Sequence, residues 1–192
     1  NINYSKAIQY YELSSYFNNS LSHFVLGDIY SNSEVIESDF DKSIKYFEKS
    51  IKIETGLITT KYFDGATLTT YKTNNHRYIS YNDIGLIYHI EKKETDKGIE
   101  NIKESAFAEY PFGQNNFGLI NEFYLNKKEN AEYMYQRSSK HNFALAEFNL
   151  GRMLESDNKI KESIEYFVRA SEHENEPLVY REITREDKRL EI

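Results

Sequence analysis

The chain has 192 residues, a formal net charge of −7, 29% charged and 39% hydrophobic residues, 17 Tyr, 12 Phe and no Cys. Without Cys there is no disulfide framework and no thiolate metal site, which fits a reducing compartment. An acidic balance with no basic run argues against a nucleic-acid partner, the aromatics argue against disorder, and neither a long apolar span nor a signal peptide is visible, so no membrane insertion is expected.

In chain order, residues 4–17 carry a small residue, Ala7, followed by Ile8 and Tyr11 and then a second small residue, Ser14. The same frame returns at Ser43, Ile44, Phe47 and Ser50, at Gly98, Ile99, Ile102 and Ser105, at Ala131, Tyr135 and Ser138, and at Ser163, Ile164, Phe167 and Ala170. Spacings of three, four and seven put these residues on one helical stripe. Small members let helix axes approach, and aromatic members fill the grooves.

A second frame alternates with the first. Glycine recurs in Leu26-Gly27-Asp28-Ile29-Tyr30, Ile84-Gly85-Leu86-Ile87-Tyr88, Phe117-Gly118-Leu119-Ile120-Asn121 and Leu150-Gly151-Arg152-Met153-Leu154, and Gly85, Gly118 and Gly151 are 33 residues apart. Five residues before each glycine stands Ser22, Ser80, Gly113 or Ala146. A glycine within a helix costs about 1 kcal/mol relative to Ala, so four in register need a reason, and close approach of a facing aromatic supplies it.

The two frames predict helix pairs at about 20–31 with 39–52, 78–91 with 95–109, 112–124 with 130–140, and 143–155 with 159–172, with Asp39 and Thr95 as N-caps. The repeats thus span 20–52, 78–109, 112–140 and 143–172. Residues 4–17 form an orphan second helix and 176–191 a closing helix. Starting at Asn1 inside a repeat, the 1–192 chain reads as a piece of a longer protein. The segment 53–75 interrupts the array. Its Thr-, Ile- and Tyr-rich stretch at 57–73, centred on Asp64-Gly65, predicts a β-hairpin or else a tolerated loop insertion. The sequons at Asn3 and Asn18 are short enough to arise by chance.

The expected fold is all-α, a right-handed superhelical solenoid of stacked antiparallel helix pairs with one inserted β-hairpin. Units of this size cannot bury their apolar face alone, so they stack and leave an extended groove.

At these residues the chain resembles the Sel-one-like repeats, a subclass of the tetratricopeptide-like helical repeats. Leu26-Gly27-Asp28-Ile29-Tyr30 followed by residues 35–47, with Asp41-Lys42-Ser43-Ile44 and Tyr46-Phe47, is similar to one nearly complete copy. Asn121 and Leu154 depart from the aromatic position that Tyr30 and Tyr88 satisfy, and the later units have a shorter loop between helices. The resemblance implies a protein-protein interaction scaffold or adaptor without catalysis, binding a protein or extended peptide in its concave groove. By the family's geometry, the groove-facing side chains are Phe24, Asp28, Asn82, Leu86, His89, Asn115, Leu119, Glu122, Phe148 and Arg152. Asn82 and Asn115 share one position in successive units, where an amide can hold a peptide backbone.

Two other readings stand beside it. The hairpin offers a strand edge for self-association or partner-strand addition. Alternatively, the chain is the regulatory part of an enzyme whose catalytic part lies outside it. The sequence offers no catalytic motif, metal-ligand spacing or cofactor loop: the five His are scattered, and acid pairs such as Glu129 with Glu132 read as solvated faces.

Overall fold

The computed structural model describes residues 4–32, 36–53, 57–61, 67–71 and 76–173. It divides into two compact units, residues 1–80 and 81–192, with the division inside one helix. The closing helix expected at 176–191 and the Asp64-Gly65 turn lie outside the described residues.

In the first unit, α1 (Tyr4–Ser15), α2 (Ser20–Ser31) and α3 (Phe40–Lys52) precede two short strands and the start of α4 (His76–Leu86). Asn19 caps α2, its side chain accepting from the Leu21 and Ser22 amides at 3.0 and 3.3 Å. Asp39 caps α3 by accepting from the Lys42 amide at 2.9 Å. Strands β1 (Leu57–Lys61) and β2 (Thr67–Tyr71) pair antiparallel, with Leu57 opposite Tyr71 and Lys61 opposite Thr67.

The small residues of the second-helix frame do more than make room. Ser43 donates its hydroxyl to the Gly27 carbonyl at 2.7 Å, and Ser50 donates to that of Ser20, the first residue of α2, at 3.0 Å. Each sits in a close helix contact where a buried hydroxyl finds a backbone acceptor. At the other end of the α2–α3 pair, Lys42 Nζ reaches the Tyr30 hydroxyl at 2.5 Å and lies 3.8 Å from Glu12 of α1. The Tyr30 ring stacks on Tyr46, with centroids 5.7 Å apart. That hydrogen bond to Tyr30 outweighs partial burial and raises the Lys42 pKa above its ordinary value.

In the second unit, α4 runs into a π-helical turn at Ile87–Glu91, followed by α5 (Thr95–Phe107), α6 (Pro111–Phe123), α7 (Lys128–Ser139), α8 (Ala144–Ser156) and α9 (Ile160–His173). Proline at the first position of α6 needs no amide partner and fixes a helical φ. Contrary to expectation, the N-cap of α5 is Glu94 rather than Thr95. The chain turns into the helix one residue earlier, and the Glu94 carboxylate pairs with Lys97 instead of capping an amide.

The turns of this unit have a rhythm of their own. Lys93, Glu109, Asn126, Asn142 and Asn158 all have positive φ, between 52° and 64°, and follow one another at steps of 16 or 17 residues. Each reverses the chain between antiparallel helices through the left-handed region, where Asn is the most tolerated residue after glycine.

The core of this unit runs through Leu86, Ile102, Phe112, Leu119, Ile120, Tyr135, Leu150 and Met153. A Cβ added at Gly118 would lie 2.5 Å from Tyr135, and one at Gly151 2.7 Å from Phe167, so the aromatic rings lie directly against the glycine backbone. Gly27 meets Phe47 in the same way in the first unit, whereas Gly85 meets Ile102 and its backbone. Among the described residues no helix is long and apolar enough to cross a membrane.

Candidate partner-binding surface

The first helices of the repeats position every residue expected to line the groove. In the first unit Asp28 is exposed, and Phe24 is half-buried between Phe47 (centroids 5.9 Å apart) and the stacked ring of His76 at 4.9 Å. In the second unit Asn82, Leu86, His89, Asn115 and Leu119 are all buried. His89 lies in the π-helical turn, its ring edge-on to Tyr124 at 4.5 Å. Glu122 and Arg152 are half-buried, and Phe148 is 47% exposed.

The buried asparagines are joined, but not to each other in equivalent positions. Asn116 donates its side-chain amide to Asn82 Oδ1 at 2.9 Å, and Asn149 donates to Asn115 Oδ1 at 3.0 Å. In both cases the residue three before a glycine accepts from the residue two before the next glycine, 34 positions further on. The Asn82 amide in turn donates to Asp83 at 3.2 Å. Neither Asn116 nor Asn149 was singled out from the sequence, although the 34-residue offset is visible there once paired amides are sought. The run stops where Phe148 takes the accepting position.

Beside this run lies a more accessible group. Arg152 of α8 donates to the Glu122 carboxylate of α6, which also accepts from the Tyr135 hydroxyl at 2.9 Å. The Arg152 guanidinium lies 5.3 Å from the centre of the Phe123 ring. Phe148 stands one turn before Arg152 on α8 and leans on Phe167 at 5.6 Å. An apolar ring, a guanidinium close to a second ring and a carboxylate therefore share one partly exposed face of consecutive first helices. Tyr135 serves that face from α7 by fixing Glu122, a role that its place in the repeat frame does not reveal.

A second ionic group joins α8 and α9. The fully buried Glu147 carboxylate of α8 accepts from Arg169 at 2.6 Å and meets His173 Nδ1 at 2.7 Å, both on α9. Among the described residues no cluster of three or more His, Asp or Glu is arranged to hold a metal ion.

No family model matches the sequence, and no curated protein matches it either. Solved structures do. The chain is similar to a protective antigen of uropathogenic Escherichia coli, c5321, described as displaying an SLR fold, with a TM-score of 0.64 and 20% identity over 86% of this chain and 33% of that one. It is similar to a Sel1 repeat protein of Oxalobacter formigenes with a TM-score of 0.64 and 16% identity, over 88% of this chain and 66% of that one. With MamA the TM-score is 0.54 and the identity 18%, over 91% and 90% of the two chains. The chain thus spans a third of the length of the E. coli antigen and about two thirds of the Oxalobacter protein. At such identities the likeness concerns the fold, and the chain has the fold of the Sel1-like helical repeat proteins.

Proposed function

We propose that the chain is a scaffold that holds an extended protein segment against the first-helix face of its repeats, without chemistry of its own. The observation that carries this reading is the Phe148, Arg152, Glu122 and Phe123 group. An Arg held near a ring and an exposed aromatic are among the side chains that contribute most at interfaces, because they offer large contact area at a small entropic cost. The Tyr135 hydroxyl and the Glu122 carboxylate pre-set the guanidinium, which lowers the ordering cost on binding. In the second unit the partner surface consists of Phe148, Arg152 and Glu122; the first unit, taken by itself, offers Asp28 and Phe24. Asn82, Leu86, His89, Asn115 and Leu119 lie buried in the same second unit.

Selection from a random-peptide display library tests the reading. Enriched peptides should lose binding by about tenfold or more, roughly 1.4 kcal/mol, with Phe148→Ser and with Arg152→Met, each checked for retained helicity. Peptides that bind both variants as well as the native chain, or no enrichment at all, would sink it.

A second reading uses the paired strands. Among the described residues a two-stranded ladder leaves each strand one unpaired edge, which favours addition of a third strand from a partner or a second copy. Deleting residues 57–71 and measuring mass by light scattering decides this: self-association that survives the deletion rules it out.

A further inference from the structure

The first unit contains an open pocket of about 630 Å³ lined by Ser15, Tyr16, Asn18, His23, Lys49, Lys52 and Ile53. Its walls come from the end of α1, the start of α2 and the last turn of α3. In a chain of net charge −7 this lining holds, among the described residues, two lysines and a histidine and no carboxylate. Lys42, Lys97, Lys128, Arg137, Arg152 and Arg169 each meet an acidic side chain. Lys49 and Lys52 meet none among the described residues; Lys49 rests its ammonium 5.4 Å from the Tyr46 ring centre.

Both lysines also complement the carbonyl end of α3, which accounts for their charge but not for the cavity between them. His23 adds a further donor. Burial, and then the Lys49 charge, lower its pKa, so the ring is neutral near pH 7. Its Nδ1 is sealed and has no hydrogen-bond partner, so the proton is better placed on Nε2, where it can be donated. Tyr16, 81% exposed, forms the rim and offers a ring and a hydroxyl.

We propose that this pocket is an acidic-peptide site, in which Lys49 and Lys52 take adjacent carboxylates of a partner segment and His23 hydrogen-bonds one of them. Carboxylates suit it better than a phosphate. Among the described lining residues there is no guanidinium fork, and the Leu21 and Ser22 amides at the start of α2 are already taken by the Asn19 side chain. The site belongs to a different unit from Arg152 and Phe148, so it stands or falls separately from the first-helix surface.

The test is a titration of the isotope-labelled chain followed by amide and imidazole NMR shifts, with a capped tetraglutamate peptide and, separately, inorganic phosphate. The peptide should shift His23 and the last turn of α3 saturably. The Lys49→Met, Lys52→Met double variant should bind about tenfold more weakly, as loss of two partly exposed pairs implies. Phe148→Ser should leave this binding unchanged. Saturable shifts from phosphate but not from the peptide, no shift at His23, or an unaltered affinity in the double variant would overturn the proposal. The two lysines are exposed, so the variant keeps its core, and its amide spectrum verifies this.

Discussion

Asn116 of α6 and Asn82 of α4, 34 residues apart in the chain and both buried, are joined by a side-chain hydrogen bond of 2.9 Å. Their neighbours Asn149 and Asn115 repeat the bond one unit on. An apolar pair would pack these helices in several registers, whereas a buried amide pair is satisfied in one only. Asn116→Ala should therefore cost about 1–3 kcal/mol, because the Asn82 carbonyl is left without its donor. In a double-mutant cycle of Asn82→Ala with Asn116→Ala, the two losses should be less than additive by about 0.5 kcal/mol or more. Simple additivity in urea unfolding would mean that the bond adds nothing.

Gly118 and Tyr135 give a second expectation. Tyr135 is fully buried and tied to Glu122 by its hydroxyl, so its ring has little freedom to retreat from a new methyl group. Gly118→Ala should lose about 1–3 kcal/mol to overpacking against a helix-propensity gain of up to about 1, a net destabilisation. A rise in melting temperature would show that the ring yields.

The Glu147 cluster predicts an order rather than a single value. Glu147 is fully buried, while the Arg169 side chain is 42% exposed. Removing the cation strands a buried carboxylate with His173 alone, so Arg169→Met should cost about 3 kcal/mol or more. Glu147→Gln removes the charge and keeps an acceptor for Arg169, so it should cost about 1–2 kcal/mol. Chemical denaturation showing the reverse order would refute the account.

Stability should also depend on mildly acid pH. His23, by burial and then Lys49, and His76, by burial, both have pKa values below the ordinary 6.5. Between those lowered values and 6.5 the unfolded chain binds protons that the folded chain refuses. Their contribution is therefore complete above about pH 6.5 and falls away as the pH drops through the lowered folded values. Denaturant midpoints across this range should decline, and the decline should shrink in His23→Gln. An unchanged slope in that variant would assign the effect elsewhere.

The glycine and small-residue frames were legible because a missing Cβ opposite a large facing side chain, a ring in three of the four cases and Ile102 at Gly85, leaves the same mark in each repeat. Gly118 against Tyr135 and Gly151 against Phe167 are the contacts that mark implied. The turns were less legible. Asn126, Asn142 and Asn158 keep a regular step, yet without backbone angles a turn Asn looks like any other in an Asn-rich chain. The candidate surface was legible only in part: Arg152, Glu122 and Phe148 are accessible to different degrees, whereas Asn82 and Asn115 lie inside.

The sequence by itself determined the repeat period, the alternation of two helix types and the residues that let their axes approach. These follow from spacing along one helix, which fixes a stripe relative to that helix's own axis. Only the tertiary structure decided that Asn115 and Asn116, about 100° apart on α6, are both buried, and that Lys49, Lys52 and His23 from two helices share a pocket. How far a helix is rotated about its axis, and how many neighbours enclose it, is set by packing against residues distant in the chain, which spacing within one helix does not encode.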